Sequence, residues 1–331
     1  MSKITHEKEI NIWQSCHGCG DSPINGPRFE CQTCPSGPDI DLCKSCYKKY
    51  INGNLLHPSN SSPSLVREQE VCHVFVRREG KKYIESNLST WLNVAFFEET
   101  PPYFTMNFVV RPIFSSGLDY IIGSCGFIVQ EAGVNLSLTA LHVLDELIKI
   151  KKIDVNESIK SSIALTEAVE KIDFYDVTTP NWMLHHLGHA NRMLILPEAK
   201  LHEEEPNSSN DIAVFQLENL GQLNPGTLAK NIPQVGENIW LAYIDLSREK
   251  KLFSGVVVEV TKDVFIYRLK KSGMIFKGSS GSPILNKFGE IVAIHCGSGR
   301  YSGCEFGHGN HVENIRRHIY SSSLMSNNTI Q

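Results

Sequence analysis

The chain has 331 residues, of which 41% are hydrophobic and 21% charged, so it can form a folded core and has room for two domains. Its formal net charge of −4 gives no electrostatic reason to bind nucleic acid or an acidic membrane surface. The first residues, MSKITHEKEI, lack the apolar region of an export signal, and no run approaches the roughly 18 apolar residues of a membrane helix. We therefore expect a folded, intracellular (cytoplasmic) protein with no nucleic-acid or membrane partner.

Three CxxC pairs near the start of the chain predict zinc binding. They are Cys16/Cys19, Cys31/Cys34 and Cys43/Cys46. Two thiolates separated by two residues can bind one tetrahedral metal ion from a single turn. The alternative is a disulfide scaffold, which belongs to exported chains with regularly spaced cysteines, and the other four cysteines here are scattered. Six thiols supply one four-ligand site and half of a second, for which His57 and His73 are candidate ligands.

The segments around these pairs resemble the ZZ-type zinc finger over about residues 10–80. The motifs on which this resemblance rests are INGPRFEC at 24–31 and DIDLCKSCY at 39–47. The resemblance implies two structural zinc ions in a crossed arrangement, the first held by Cys16, Cys19, Cys43 and Cys46, and the second by Cys31, Cys34, His57 and His73. Cys72 is an alternative to His73, and His17 is expected to be a solvated neighbour. We assign residues 1–80 to this finger.

A domain of this size buries too little apolar surface to fold alone, so we expect the metal ions to serve as its core. Several ZZ fingers read protein N-termini through acidic side chains, and Asp39 and Asp41 lie in the matching segment. Two interpretations stay open. Either these carboxylates pair with an α-ammonium group of a partner, or they only support the zinc-binding turn.

The rest of the chain is predicted to be mainly β. Short runs rich in β-branched and aromatic residues recur between turn residues, at 107–113, 120–129, 192–196, 212–217, 238–244, 253–260, 264–267 and 291–295. Many short strands at this spacing indicate antiparallel barrels or a sandwich. We also predict a helical insertion at 156–172, a C-terminal helix at 312–319 and a connector at 81–104 before a domain at 105–325.

Three segments of this β-rich region contain candidate catalytic residues. They are LTALHV at 138–143, NDIAV at 210–214 and KGSSGSPI at 277–284. The order His, Asp, Ser in T-A-x-H and G-x-S-G-x-P contexts resembles the trypsin-like (chymotrypsin-fold) serine peptidases over about residues 100–320. The resemblance implies a double β-barrel peptidase domain, here preceded by a small zinc-stabilised finger.

Each candidate residue type has a chemical reason to be there. The Ser280 hydroxyl is a poor nucleophile at neutral pH and needs a base, for which the His142 imidazole is suited. The imidazolium that forms needs an oriented carboxylate, which Asp211 can supply. The resemblance implies an oxyanion hole made by the backbone N–H groups of Gly278 and Ser280.

Two further positions concern activation and specificity. Ser279, before the nucleophile, is uncharged where digestive relatives have an aspartate that pairs with a new N-terminus, so we expect the uncleaved chain to be competent or regulated through its finger. The segment at 291–299 contains an I-H-x-G pattern similar to glutamyl endopeptidases and picornaviral-type proteases. It implies that His295 and Gly297 bind the substrate and favour an acidic or amide side chain at P1, although relatives with an apolar P1 preference also occur.

The sequence thus predicts a serine endopeptidase that cleaves protein or peptide substrates through Ser280, His142 and Asp211. Its zinc finger would recruit or sense a protein partner. The alternative is a binding adaptor whose protease-like domain is catalytically silent.

Overall fold

The computed structural model describes residues 7–31, 40–55, 75–79, 81–96, 106–116, 119–144, 171–177, 184–193, 210–218, 224–245, 248–263, 265–270 and 278–321. The chain divides into two compact units. The N-terminal unit comprises residues 1–93 together with 298–306, and the larger unit comprises 94–297 together with 307–331.

The N-terminal unit contains two three-stranded antiparallel sheets and two helices. Its elements are β1 (Glu7–Asn11), β2 (Ile24–Asn25), β3 (Arg28–Cys31), β4 (Asp41–Cys43), α1 (Lys44–Ile51), β5 (Phe75–Arg78), β6 (Lys81–Ile84) and α2 (Glu85–Asn93). One sheet has the order β2-β1-β6 and the other β4-β3-β5. Strand β6 and helix α2 lie within the segment that we predicted as a connector, 81–104.

The apolar core around the cysteines is small. It consists of Cys16, Ile24, Leu42 and Cys46, with partly buried aromatic rings packed against it. The Phe29 and Tyr47 rings stack there at 4.0 Å with an interplanar angle of 7°. Two of these four residues are thiols, so this cluster by itself buries little apolar surface, although the unit also buries Ile12, Leu88 and Trp91 elsewhere.

The first half of the larger unit is a closed barrel. Its strands are β7 (Val109–Ser116), β8 (Asp119–Ile122), β9 (Gly126–Glu131), β10 (Val134–Thr139), β11 (Lys171–Val177), β12 (Leu184–Met193) and β13 (Ala213–Glu218). They form one sheet in the order β11-β12-β13-β10-β9-β7-β8, and β11 also pairs with β7. This last pairing closes the sheet on itself, so the inward side chains form a core.

The second half is another closed barrel. Its strands are β14 (Asn238–Ile244), β15 (Lys250–Val260), β16 (Phe265–Leu269), β17 (Pro283–Leu285), β18 (Ile291–Tyr301) and β19 (Cys304–His311), followed by helix α3 (Val312–Ser321). The closed order is β14-β15-β16-β19-β18-β17. Helix α3 packs back on the larger unit, where the Arg316 side chain donates to the Leu228 carbonyl oxygen at 3.2 Å.

The two barrels share one continuous apolar core. A single cluster of buried residues includes Phe127 and Phe215 from the first barrel and Ile239 and Tyr267 from the second. Arg111 of β7 also donates to the backbone carbonyl oxygens at the end of β14, at 3.3 Å. The barrels are therefore packed together as one body, and residues at their junction can be held in place from both sides.

This architecture confirms the predicted fold class, a double β-barrel preceded by a small finger. None of the described helices has the length and apolar character required to cross a membrane.

Several predicted element bounds were wrong. The predicted strand 120–129 is two strands, because the chain turns between them, where the Gly123 N–H donates to the Pro112 carbonyl at 2.7 Å. Residues 192 and 193 of the strand predicted at 192–196 are the end of β12, which begins at Leu184, and 194–196 lie outside the described residues. Residues 171 and 172, predicted as the end of a helix, begin β11; the remainder of that prediction, 156–170, lies outside the described residues. The predicted C-terminal helix is α3.

Candidate active site and metal centre

His142 and Asp211 lie at neighbouring strand ends in the first barrel. His142 is on a short 3₁₀ helix (Leu141–Leu144) that follows β10, and Asp211 lies two residues before the start of β13. Strands β10 and β13 are adjacent, with Thr139 opposite Ala213. The two candidate residues, 69 positions apart in sequence, are thereby brought into contact.

The Asp211 carboxylate holds His142 through both of its oxygens. The distance from His142 Nδ1 to Asp211 Oδ2 is 2.7 Å, and the His142 backbone N–H donates to Oδ1 at 2.9 Å. Since a carboxylate accepts hydrogen bonds, Nδ1 carries the proton and Nε2 keeps its lone pair. The side chain of Asp211 is 11% exposed and that of His142 is 24% exposed, so the carboxylate is covered while the imidazole remains accessible. This is the tautomer and orientation that a general base requires.

The backbone of Asp211 is held from the second barrel. Its carbonyl oxygen accepts hydrogen bonds from Asn310 Nδ2 on β19 at 3.3 Å and from the Cys296 thiol on β18 at 3.5 Å. Asn310 is fully buried and Cys296 nearly so. Sequence analysis did not identify Asn310, because neither its position nor its neighbours in the chain indicate contact with a residue 99 positions away.

Residues 278–282, which we call the Ser280 turn, connect to β17. Gly278 and Gly281 have φ angles of +87° and +84°, a region that side chains with a Cβ rarely adopt. The turn is closed by a hydrogen bond from the Ser282 N–H to the Ser279 carbonyl at 3.0 Å. The Gly281 N–H donates to the His295 carbonyl at 2.8 Å, which attaches the turn to β18.

The other side of the Ser280 turn rests on the first barrel. The Cys125 N–H donates to the Ser280 carbonyl oxygen at 3.0 Å. A Cβ atom on Gly281 would lie only 2.2 Å from the Thr139 hydroxyl oxygen, so the turn touches the strand that leads to His142. The structure therefore brings the Ser280, His142 and Asp211 segments together at the junction of the two barrels.

The predicted oxyanion hole is compatible with this turn. Among the residues that the structure describes, the backbone N–H groups of Gly278 and Ser280 donate to no backbone acceptor. Two N–H donors two residues apart on one turn with positive φ can form a concave site for a negative charge. The positive φ of Gly278 also explains why glycine stands at that position.

The predicted substrate-binding residues, His295 and Gly297, lie on β18 of the second barrel, where His295 is buried and Gly297 is half-buried. His295 is 1% exposed, and its Nδ1 lies 2.9 Å from the Tyr267 hydroxyl. Burial, with a smaller contribution from the nearby His308 and His142, lowers the pKa of His295 to about 3, so its imidazole is neutral. A Cβ atom on Gly297 would lie 2.5 Å from His308 Nε2, so this imidazole covers Gly297. Tyr267 and His308 are neighbours that sequence analysis did not connect with this site.

Four thiols of the N-terminal unit form a metal-binding cluster. The sulfur atoms of Cys16, Cys19, Cys43 and Cys46 all lie within 4.8 Å of one another. Ligands at about 2.3 Å from a tetrahedral zinc ion are roughly 3.8 Å apart, and the distance between Cys19 Sγ and Cys43 Sγ is 3.9 Å. This donor set fits zinc. The grouping is the one that the sequence resemblance implied for the first ion.

Backbone N–H groups support the same sulfurs. The Cys43 N–H donates to the Cys16 sulfur at 3.2 Å, and the Cys46 N–H donates to the Cys43 sulfur at 3.5 Å. Burial works to raise the pKa of Cys16, but the hydrogen bonds that it accepts lower the pKa below its ordinary value overall. The eight described cysteines are all free thiols, so disulfides do not hold this part of the finger.

Only one predicted ligand of the second zinc ion is described. Cys31 is buried, and its N–H donates to the Ile40 carbonyl at 2.9 Å. Cys34, His57 and His73, together with the alternative ligand Cys72, lie outside the described residues. His17 is exposed and is not among the four clustered ligands, and its Nδ1 accepts a hydrogen bond from the Asp41 N–H at 3.0 Å.

Asp41 is engaged within the finger. Its carboxylate is 2.6 Å from Arg28 Nη1, and the side chains of Asp41 and Arg28 are only 7% and 8% exposed. Burial raises the pKa of Asp41 although the guanidinium of Arg28 counteracts the shift. The observed geometry agrees with the supporting role of Asp41, whereas Asp39 lies outside the described residues.

Comparison with known proteins agrees with these two units. Residues 123–294, more than half of the chain, match the trypsin-like peptidase domain family, so the chain belongs to the trypsin-like peptidases. Residues 13–54 match the ZZ-type zinc finger family, so the chain combines a trypsin-like peptidase domain with a ZZ zinc finger on its N-terminal side.

Individual relatives are more distant. The E3 ubiquitin-protein ligase HERC2 of Mus musculus is 30% identical over 82 residues, which are 25% of this chain and 2% of that protein; HERC2 of Homo sapiens gives the same values. Among solved structures, the active form of the Rv3671c protease from M. tuberculosis is 14% identical with a TM-score of 0.41, covering 65% of this chain and 80% of its own. The serine endoprotease from Yersinia pestis is 15% identical with a TM-score of 0.42, covering 67% and 64%.

Proposed function

We propose that this protein is a serine endopeptidase in which Ser280, His142 and Asp211 act as nucleophile, base and orienting carboxylate. The observation that carries the proposal is the double attachment of His142 to Asp211, at 2.7 and 2.9 Å. A histidine held through both its backbone N–H and its Nδ1 presents Nε2 in one fixed direction. In this orientation Nε2 can accept the proton of a serine hydroxyl.

The reaction would proceed in two displacements. Ser280 Oγ attacks the scissile carbonyl carbon while His142 Nε2 takes the hydroxyl proton, and the Gly278 and Ser280 N–H groups stabilise the oxyanion. His142 then gives the proton to the leaving amine, which produces an acyl-enzyme on Ser280. Water, activated by the same imidazole, hydrolyses the ester and restores the hydroxyl. Asp211 remains ionised throughout and stabilises the imidazolium.

Labelling with a fluorophosphonate probe tests this proposal directly. The full chain should be labelled covalently and should cleave a denatured protein substrate, and Ser280→Ala should abolish both. Ser254→Ala, a partly buried serine on β15 of the same barrel, serves as the control and should react like the unmodified chain. If the unmodified chain neither reacts nor cleaves, the protein is instead the silent adaptor.

We propose in addition that the uncut chain is active. Ser279 is 1% exposed and carries no charge that a new N-terminus would neutralise. Activity should therefore be measurable without removal of any N-terminal segment. Activity that appears only after such removal would contradict this part of the proposal. The free thiols of the described residues are in keeping with action in a reducing, intracellular compartment, which we also propose.

For specificity, we propose that His295 favours an amide or acidic side chain at P1. Its neutral imidazole, beside the Tyr267 hydroxyl, can donate one hydrogen bond but offers no positive charge. A library of peptides that differ only at P1 would test this, with glutamine and glutamate compared with leucine. Equal cleavage of all three, or a preference for leucine, would contradict it.

We propose that the ZZ finger, with two structural zinc ions in the intact protein, binds a protein partner or its N-terminus. Since Asp41 is paired with Arg28, the ammonium group of such a peptide would be bound by Asp39. Fluorescence anisotropy with a peptide carrying a free or an acetylated N-terminus measures this binding independently of Ser280. The free peptide should bind more tightly, and Asp39→Asn should remove the difference; equal binding of both peptides would contradict the N-terminal interpretation.

A further inference from the structure

One buried threonine connects the three segments that carry the candidate catalytic residues. Thr139 is the last residue of β10, is 1% exposed and lies three positions before His142. Across the sheet it is paired with Ala213, which follows Asp211 by two positions. Thr139 therefore belongs to the β10–β13 strand pair, which brings His142 and Asp211 into contact.

The same hydroxyl reaches toward the Ser280 turn through Cys125. Thr139 Oγ1 donates to the Cys125 carbonyl oxygen at 2.6 Å, and the Cys125 N–H donates to the Ser280 carbonyl oxygen at 3.0 Å. Cys125 is fully buried, so water cannot replace either hydrogen bond. Both peptide planes that flank Cys125 are thus fixed, one by Thr139 and the other by Ser280.

Direct packing reinforces this connection. A Cβ atom on Gly281 would lie 2.2 Å from Thr139 Oγ1 and 2.2 Å from the Cys125 carbonyl oxygen. The backbone of the Ser280 turn therefore rests on these two oxygens without an intervening side chain. From the opposite side, the Gly281 N–H is held by the His295 carbonyl at 2.8 Å. The turn cannot approach the first barrel more closely or withdraw from it without breaking one of these contacts.

We propose that Thr139 is a positioning residue for the peptidase reaction. Its hydroxyl, acting through Cys125 and Gly281, sets the distance between the Ser280 turn and the strand end that carries His142. The inference rests on the proposed function, because the distance matters only if Ser280 transfers its proton to His142. Reacting groups must be held in near-attack geometry, and a displacement of a fraction of an ångström slows the reaction while leaving substrate binding nearly intact.

Two variants of the full chain isolate the hydroxyl. Thr139→Ser and Thr139→Ala both lose the methyl group and differ from each other only in the oxygen atom. The rate constant for fluorophosphonate labelling, kinact, and the probe affinity, KI, are measured per titrated active site, with the thermal midpoint recorded in parallel. We expect Thr139→Ser to retain kinact within about threefold and Thr139→Ala to lose about 10- to 100-fold. KI should be nearly unchanged in both.

The outcomes separate this inference from the proposed function. If the unmodified chain does not react with the probe, the proposed function fails first and the inference fails with it. If the unmodified chain reacts and the Ser and Ala variants have equal kinact, only the inference is overturned. A merely structural role would lower the thermal midpoint of Thr139→Ala without changing kinact per titrated site, and this result too would overturn it. Thr139→Val, which keeps the shape but not the donor, should behave like Thr139→Ala; if it does not fold, the Ser and Ala pair decides.

Discussion

In the peptidase unit, a continuous core of buried apolar side chains runs through both barrels, and the segments with the candidate catalytic residues are attached to it by hydrogen bonds between residues far apart in sequence. Around the finger cysteines, the buried cluster that the structure describes consists of Cys16, Ile24, Leu42 and Cys46, and two of these belong to the candidate metal centre. We therefore expect the peptidase unit to depend on apolar burial and the segment around the clustered cysteines to depend on a metal ion. Agents that act on one kind of stabilisation should therefore leave the other unit largely unchanged.

Zinc removal should have the largest effect and should be confined to the finger. Structural zinc contributes about 10–16 kcal/mol in small zinc-finger peptides, so chelation should unfold the finger. Hydrogen exchange of the peptides that cover 13–54 should become fast, and partner binding should be lost. Fluorophosphonate labelling should persist at nearly its original rate.

Cys46→Ser is the matched variant for this prediction, because Cys46 is one of the four clustered ligands. It should reproduce the effect of chelation without any chelator. Loss of labelling together with the finger would contradict the comparison, since the finger would then support the peptidase directly.

A cavity in the barrel core should destabilise the peptidase unit and leave the finger unchanged. Phe215 is fully buried, with its ring centroid 6.0 Å from that of Phe114 and 6.5 Å from that of Phe174. Phe215→Ala should destabilise the peptidase unit by about 3–5 kcal/mol. Thermal denaturation followed by loss of fluorophosphonate labelling would measure this, while hydrogen exchange of the finger peptides should be unchanged. Phe288→Ala, at a side chain that is 73% exposed, provides the control and should leave the midpoint unchanged.

Within the finger, the buried ion pair should contribute more than an exposed pair of similar length. Asp41→Asn leaves Arg28 buried with Glu30, at 3.5 Å, as its one remaining carboxylate among the described residues, which should cost about 3 kcal/mol. Glu79→Gln breaks the exposed pair with Arg77, also 2.6 Å long, and should have no measurable effect. Hydrogen exchange of the peptide spanning 24–31 would report the difference. Equal protection in the two variants would show that burial of the ion pair does not increase its contribution to the stability of the finger.

The last effect should be a pH dependence of the peptidase unit, which is small per pH unit but accumulates over the titration range. His295 has a pKa of about 3 in the folded chain against 6.5 ordinarily, so between these values the unfolded state binds a proton that the folded state excludes. The stability of the unit should thus be complete above pH 6.5 and fall as the pH decreases toward 3, by about 1 kcal/mol per pH unit from this residue.

Urea denaturation at several pH values would measure this slope, and His295→Gln should reduce it. Between pH 7 and 8, where the imidazole is neutral in both states, the two chains should depend on pH identically. Parallel slopes below pH 6 would show that burial of His295 does not control this titration.

Local sequence was sufficient for the parts of the site that depend on local chemistry. The CxxC pairs place two sulfurs on one turn, and the T-A-x-H and G-x-S-G-x-P segments contain the glycines and polar residues that their turns require. Local sequence was not sufficient to predict where each strand begins and ends. The predicted strand 120–129 fails because the break at Gly123 and Cys125 is made by hydrogen bonds to Pro112 and Ser280, which no local pattern contains.

The amino-acid sequence by itself determined the two classes of domain, the four clustered thiols and the identities of the three candidate catalytic residues. Only the tertiary structure decided that Asn310 holds the Asp211 carbonyl, that Arg28 neutralises Asp41, and that Thr139 and Cys125 carry the Ser280 turn. The physical reason is the range of the interactions. Side-chain chemistry and turn conformation are properties of a few consecutive residues, whereas the partners of a buried polar group are set by barrel closure, which brings together residues up to about a hundred or more positions apart.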